Sequence, residues 1–133
     1  MRFFISLAMF SAAIAFSLRS SRFATATLSQ TCKMSSAADT TKTAISSNDI
    51  MVFSKTYCPY CTRAKEALSK LNVKFEVYEL DARKDGDDIQ AALLEMTGQR
   101  TVPNVFVKGK HVGGCDNTLA AIKDGSFKKM MEA

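Results

Sequence analysis

The sequence predicts an α/β domain in which a small mixed β-sheet carries helices on its faces. Short apolar or alternating segments, typical of strands, occur between segments whose apolar residues recur every three or four positions, as in amphipathic helices. Their order is β, α, β, α, β, β, α. A helical crossover between the first two strands indicates a parallel pair, and a short turn between the last two indicates an antiparallel hairpin. The 133 residues, 47% of them hydrophobic, suffice for one domain plus a tail.

The first strand and helix carry the clearest pattern. Ile50–Phe53 is an apolar run whose length suits a strand buried on both faces. Beyond it, four apolar residues fall at i, i+3, i+4 and i+7, which predicts one buried helical face: Ala64, Ala67, Leu68 and Leu71.

The rest of the chain follows the same logic. Lys74–Leu80 alternates with period two and predicts a strand. A second helical stripe contains Ile89, Ala92, Leu93 and Met96, with Met96 expected in the core and Gly98 ending the helix. The remaining predicted elements are a hairpin of Val105–Val107 and His111–Val112, a helix from about Asp116 through Ile122, and a short helix from Ser126 to Met131.

Two cysteines, Cys58 and Cys61, lie at the junction between the first predicted strand and the helix that follows it. If Cys58 is the N-cap, Pro59 occupies the first helical position, and we expect the amides of Tyr60 and Cys61 to point at the Cys58 sulfur. The thiolate is the reactive form of cysteine, and cysteines at helix starts have pKa values of roughly 3.5–7.5 against ~8.5 for a free thiol. We therefore expect Cys58 to be the exposed nucleophile and Cys61 the more buried resolving thiol.

Two other interpretations of this cysteine pair, a structural zinc site and a structural disulfide, have less support in the sequence than redox chemistry. Structural zinc needs four ligands, usually as two such pairs, and the chain offers only Cys32, Cys115 and His111 besides. A structural disulfide at the junction of a strand and a helix would be poorly protected. The sequence therefore favours redox chemistry.

The net charge of +5 is concentrated in the N-terminal part of the chain. Residues 1–48 carry +4, whereas residues 49–133 carry only +1. A nearly neutral domain lacks the clustered basic face of a nucleic-acid-binding protein.

Three motifs now stand in order on the predicted elements: Cys58-Pro59-Tyr60-Cys61, Thr101-Val102-Pro103 and Gly113-Gly114-Cys115-Asp116. Together they resemble the dithiol glutaredoxins, from about Ser47 to the C-terminus. The resemblance implies a thioredoxin-like α/β fold with a four-stranded mixed sheet flanked by helices. It also implies a cis peptide bond before Pro103.

The resemblance implies a glutathione-dependent thiol–disulfide oxidoreductase that reduces protein–glutathione mixed disulfides and protein disulfides. Cys58 and Cys61 would be catalytic, glutathione would be a co-substrate, and no metal is expected. The positions matching the family's glutathione contacts are Lys55, Tyr60, Gln90, Thr101, Val102, Pro103, Gly114, Cys115 and Asp116. Cys115 would contribute its backbone. Its thiol is expected to be inert, with a regulatory oxidation site as the alternative.

The same resemblance leaves an alternative open, because some glutaredoxins carry a glutathione-ligated [2Fe–2S] cluster between two subunits. Pro59 argues against it, since a stiffer, glycine-free motif accompanies members without clusters. The expected partners are therefore glutathione and glutathionylated or disulfide-containing proteins. We expect a monomer that binds neither nucleic acid nor, after loss of its leader, a membrane.

Residues 1–34 are expected to be a targeting leader. Arg2 precedes the apolar run Phe3–Leu18, which is short for a membrane span, and Arg19–Met34 is rich in Ser, Thr and Arg without an acidic residue. Together these segments resemble the two-part leaders of proteins imported into complex plastids, so a plastid or mitochondrion is expected. Secretion, or a cytoplasmic form started at Met34, stays open. Residues 35–46 would be a linker or lead-in helix, and residues 47–133 the glutaredoxin domain.

Overall fold

The computed structural model describes the backbone of residues 25–133 and the side chains of residues 36–133. Helices and strands alternate in the predicted order, preceded by one long helix. The elements are α1 (Thr25–Ser47), β1 (Ile50–Ser54), α2 (Pro59–Lys70), β2 (Glu76–Glu79), α3 (Gly86–Thr97), β3 (Asn104–Val107), β4 (Lys110–Gly113), α4 (Cys115–Asp124) and α5 (Ser126–Glu132).

The four strands form one mixed sheet in the order β2-β1-β3-β4. β1 and β2 are parallel, with Val52 opposite Val77, whereas β3 runs antiparallel to both β1 and β4. The parallel first pair and the antiparallel hairpin are both confirmed. Because β1 is central and ends at Ser54, four positions before Cys58, its carboxyl end places the cysteine pair at this edge of the sheet.

Strand β1 is buried along its whole length because both sheet faces are covered. Met51 and Phe53 face a core that α1 and α3 complete, while Ile50 and Val52 face a second core that includes Leu68 of α2 and residues of α4 and α5. This alternation is what a strand side-chain period of two requires. The prediction of a strand buried on both faces is confirmed.

Two residues assigned to buried helical stripes are exposed instead. Met96 is 41% exposed, so the prediction that it lies in the core is wrong. It sits in the last turn of α3, beside the Gly98 cap, and belongs to neither of the two apolar clusters. Leu71 is 42% exposed because it is the C-cap of α2, past the last turn that packs on the sheet.

Helix α1 is longer than the lead-in helix expected at residues 35–46 and packs on α3. Ala37, Ala44 and Ile45 join the core on that face. Of the predicted leader, residues 1–24 lie outside the described residues, as does the side chain of Cys32. Within residues 25–133, none of the helices has both the length and the apolar character needed to cross a bilayer.

Candidate functional site

Cys58 is the N-cap of α2, as predicted. Its backbone is extended (φ −90°, ψ 115°), Pro59 begins the helix, and the Cys58 carbonyl accepts the amide of Thr62 at 3.2 Å. We expected the amides of the first helical turn to point at the Cys58 sulfur, but the Cys58 side chain makes no capping hydrogen bond with them. Instead, its thiol donates to the Val102 carbonyl, with an Sγ–O distance of 3.8 Å.

Cys61 lies beneath Cys58 and is fully buried, in line with the expected contrast between the two thiols. Burial raises the pKa of the Cys61 thiol from its ordinary value of 9.0 to about 11. The Lys55 amide and the Ser54 hydroxyl act in the opposite direction and lower that pKa, while nearby Cys58 raises it further. At neutral pH, therefore, Cys61 is held almost wholly as the thiol.

The Val102–Pro103 peptide bond is cis, which confirms the feature implied by the resemblance. A side chain that the sequence analysis did not single out holds this segment in place. The Gln99 amide nitrogen donates to the carbonyls of Thr101 and Pro103, both at 3.0 Å. Gln99 therefore holds the backbone on both sides of Val102, whose carbonyl faces Cys58.

Beside the thiols lies a cleft of about 480 Å³, within the usual size range of small-ligand sites. Seven of the predicted glutathione-contact positions line it, together with Gln99 and Asn117: Tyr60, Thr101, Val102, Pro103, Gly114, Cys115 and Asp116. Gln99 could have been suspected from its place two residues before Thr101, and Asn117 from its place beside Asp116 at a helix start. A larger cleft of about 630 Å³, between α1 and Tyr78, is lined by none of the three described cysteines.

The glycine pair shapes one wall of the cleft at the start of α4. Gly113 has φ +124°, and a Cβ there would come within 2.4 Å of the Asn117 side-chain nitrogen. Gly114 is the N-cap of α4, and its carbonyl accepts the Thr118 amide. The next residue, Cys115, is buried, and this burial raises the pKa of its thiol. The glycines thus permit the close backbone approach that the motif predicted.

Lys55 and Gln90 do not line the cleft. The Gln90 amide donates to the Arg100 carbonyl at 2.7 Å. Lys55 lies near Asp81, whose pKa is held below its usual range mainly by hydrogen bonds from the Thr56 hydroxyl and amide and, to a lesser degree, by the Lys55 charge. The Thr56–Asp81 contacts tie the loop before Cys58 to the segment after β2.

The side chains of residues 36–133 contain no group of three or more His, Cys, Asp or Glu residues arranged to hold a metal ion. Cys58, half-buried, and Cys61, buried, are both free thiols at one end of the cleft wall formed by Tyr60 and Val102. Such a pair can exchange disulfides with a thiol-bearing ligand seated in the cleft.

Comparison with known proteins agrees with this chemistry. Residues 50–112 match the family model described as Glutaredoxin. A glutaredoxin of Ricinus communis is 56% identical over 91 residues, covering 68% of this chain and 89% of the relative. Rice (Oryza sativa subsp. japonica) "Glutaredoxin-C4, chloroplastic" is 48% identical over 95 residues, covering 71% of each chain.

A solved structure extends the likeness to three dimensions. The crystal structure of the buckwheat glutaredoxin–glutathione complex superposes with a TM-score of 0.73 at 47% identity, covering 75% of this chain and 91% of that one. The fold is therefore the thioredoxin-like α/β fold that the motifs implied. By sequence, fold and cysteine motif, this chain belongs to the glutaredoxin family and is a glutathione-dependent oxidoreductase.

Proposed function

We propose that the chain reduces protein–glutathione mixed disulfides and protein disulfides, with Cys58 as nucleophile and Cys61 as resolving thiol. The observation that carries this is the contrast between the two sulfurs. Cys58 is half-buried at the start of α2 and next to the cleft, whereas Cys61 is fully buried and kept protonated. One thiol is thus accessible to substrate and the other is reserved for an intramolecular step.

In the proposed monothiol route, the Cys58 thiolate attacks the glutathione sulfur of a mixed disulfide. The protein substrate leaves as a thiolate, and glutathione stays on Cys58. A second glutathione then attacks that disulfide and leaves as oxidised glutathione, which regenerates Cys58. Cys61 takes no part in this route.

In the proposed dithiol route, Cys58 forms a mixed disulfide with a protein cysteine, and Cys61 attacks the Cys58 sulfur. The substrate is released reduced, and the enzyme is left with a Cys58–Cys61 disulfide. Family potentials of roughly −200 to −230 mV allow the glutathione pool to reduce it again.

The cleft is the proposed seat of glutathione. Val102 would offer its backbone to the extended tripeptide in the manner of an added strand, and the start of α4 would offer amides to the γ-glutamyl carboxylate. The buckwheat complex supports glutathione binding at such a site. Lys55 and Gln90 remain proposed contacts to the glycine carboxylate, although they lie outside the cleft lining.

The test is glutathione-dependent reduction of a glutathionylated peptide and of a protein disulfide by the full chain. We expect Cys58→Ser to abolish both activities. We expect Cys61→Ser to retain much of the first and to lose the second. Cys115→Ser is the matched thiol control, and it should retain most of both because its proposed contact is through the backbone. Equal loss in the Cys58 and Cys61 variants would contradict the monothiol route.

For localisation, we propose that residues 1–34 are a leader that is removed on import into an organelle, leaving a monomeric domain of residues 47–133 behind a short lead-in segment. The chloroplastic rice relative supports a plastid. N-terminal sequencing of the mature protein, with a fluorescent fusion of residues 1–48, tests this proposal. A fusion that stays in the cytoplasm would overturn it.

A further inference from the structure

The segment between β1 and α2 is a turn that is not held in place by burial. The turn runs from Lys55 to Cys58, and the Cys58 amide closes it by donating to the Lys55 carbonyl at 3.1 Å. Its two central residues, Thr56 and Tyr57, are exposed, and Tyr57 is 73% exposed. The conformation of the residues that lead into Cys58 therefore depends on hydrogen bonds.

The carboxylate of Asp81 binds this turn with both of its oxygens. The chain after β2 first runs beside the end of β1, since the Leu80 amide donates to the Ser54 carbonyl at 2.8 Å. Asp81 follows and accepts twice from Thr56: the Thr56 amide donates to one carboxylate oxygen at 3.0 Å, and the Thr56 hydroxyl donates to the other. Two hydrogen bonds to one residue fix its orientation as well as its position, and that residue lies two positions before Cys58.

The Asp81 carboxylate is ionised whenever the thiol chemistry runs. The Thr56 hydroxyl and amide hold the pKa of Asp81 below its usual range, and the Lys55 charge lowers it to a lesser degree. Hydrogen bonds to an ionised acceptor are about twice as strong as those between neutral groups. Because Asp81 is exposed, water replaces these bonds when they are lost, so we expect them to affect the placement of the turn more than the stability of the fold.

The placement of the turn matters because the Cys58 sulfur must meet a ligand in the cleft. The thiol donates to the Val102 carbonyl with an Sγ–O distance of 3.8 Å, and Val102 and Tyr60 line the cleft. A nucleophile reacts fast only when it is aligned with its target, and a misplacement of about 1 Å can cost about a hundredfold in rate. The turn is the covalent path from the sheet to Cys58, so a loose turn would let the sulfur drift relative to the cleft.

We propose that Asp81 is a positioning residue for the monothiol route, and that its two hydrogen bonds to Thr56 hold Cys58 in alignment with the cleft. This inference rests on the proposed role of Cys58 as nucleophile. In the step concerned, the Cys58 thiolate attacks the glutathione sulfur of a mixed disulfide. A disulfide forms between Cys58 and glutathione, the original disulfide breaks, and the released substrate thiolate takes up a proton from solvent. Asp81 acts on this step only through Thr56.

Substitutions at both ends of the contact separate the hydrogen bonds from the charge. Asp81→Ala removes both acceptor oxygens, whereas Asp81→Asn removes the charge and keeps one of them. Thr56→Val removes the hydroxyl donor at nearly constant volume, Thr56→Ser keeps it, and neither alters the charge. Asp124→Ala is the matched control, because that carboxylate is also exposed and accepts a backbone amide, that of Ser126 at 2.8 Å, at the junction of α4 and α5.

The experiment compares two reactions of Cys58 in the reduced full chain. Single-turnover reduction of a glutathionylated peptide requires alignment with the cleft. Alkylation by iodoacetamide, followed by peptide mapping from pH 5 to pH 9, uses a small reagent that needs no such alignment. Since the turn keeps its own closing hydrogen bond, we expect Asp81→Ala to slow the first reaction by about threefold to tenfold, less than a full 1 Å displacement would, and to leave the highest alkylation rate within about twofold of wild type.

The other variants should follow the number of hydrogen bonds that remain. Asp81→Asn should reduce the peptide at a rate between those of wild type and Asp81→Ala. Thr56→Ser should be faster than Thr56→Val, although both leave the Asp81 charge in place. Asp124→Ala should slow neither reaction.

The outcomes separate this inference from the proposed function. If Cys58→Ser still reduces the glutathionylated peptide, the proposed nucleophile and this inference fall together. If Cys58→Ser is inactive but Asp81→Ala matches Asp124→Ala in both reactions, the inference is overturned and the nucleophile stands. Equal slowing of both reactions in Asp81→Ala would also overturn it, because Asp81 would then act on the thiol itself. Should Asp81→Ala fail to fold, equal rates in Thr56→Ser and Thr56→Val would overturn the inference.

Discussion

The resolving step should accelerate steeply with pH, because burial raises the pKa of the Cys61 thiol to about 11. At pH 7 this leaves about one Cys61 in ten thousand as thiolate. As long as the pH stays below the pKa, each increase of one pH unit raises that fraction about tenfold. Forming a disulfide on Cys58 removes the contribution of Cys58 to the raised pKa of Cys61, but burial is the largest contribution, so most of the shift persists.

The assay loads Cys58 with an aromatic thiol and follows its release by absorbance in a rapid mixer between pH 6 and pH 9. Release requires attack by Cys61, so the observed rate reports its thiolate fraction directly. Cys61→Ser protein, measured in parallel, corrects for release caused by any other thiol in the chain. We expect the logarithm of the corrected rate to rise with a slope close to one across the whole range.

A rate that levels off near pH 8 would refute this reasoning, because it would show a Cys61 thiol of ordinary acidity. A pH-independent rate would do the same, since it would mean that ionisation of Cys61 does not limit attack. Equal release in wild type and Cys61→Ser would instead show that another sulfur resolves the disulfide.

Three further predictions concern the cleft, the glycine turn and alkaline stability. Gln99→Ala should raise the KM for glutathione about threefold to tenfold by freeing the backbone beside Cys58, with kcat little changed; Gln90→Ala should have a smaller effect, and the reverse ranking in steady-state kinetics would contradict the cleft assignment. Gly113→Ala should lower the free energy of unfolding by about 1–3 kcal/mol more than Gly109→Ala in urea melts, because both positions have positive φ but only Gly113 lacks space for a Cβ. Since the pKa of Cys61 is raised in the folded state, its contribution to stability is complete below about pH 9 and lost as the pH rises towards about 11. The difference in unfolding free energy between wild type and Cys61→Ala should therefore fall by about 2 kcal/mol between pH 9 and pH 11, and a constant difference would show that the thiol is not held protonated.

The elements around the cysteine pair could be predicted because their signals are local. Pro59 fixes the first helical position, Gly98 ends a helix with φ +71°, and the apolar run from Ile50 is buried throughout. The predicted second strand, Lys74–Leu80, was longer than the observed β2, since only Glu76–Glu79 pair with β1. Alternation indicates a strand, but pairing with a neighbour decides where it ends.

The features missed by the sequence analysis depend on how the folded chain places its side chains. The side chain of Asp81 binds Thr56 across 25 residues. Gln99 binds carbonyls only two and four residues away, and these contacts depend on the conformation of the loop itself. Met96 fits a helical stripe by spacing, yet the core does not extend to the last turn of α3. Helix α1 could not be outlined in advance either, because its Ser- and Thr-rich sequence shows little amphipathic pattern and packing on α3 holds it in place.

Of the three thiols whose side chains the structure describes, Cys58 is half-buried beside the cleft, whereas Cys61 and Cys115 are buried. A brief pulse of iodoacetamide at pH 7 on the reduced full chain, followed by peptide mapping, tests this difference most directly. We expect Cys58 to be alkylated first and Cys61 and Cys115 to remain almost unlabelled until the protein is unfolded. Alkylation of Cys61 or Cys115 at a rate matching that of Cys58 would contradict it.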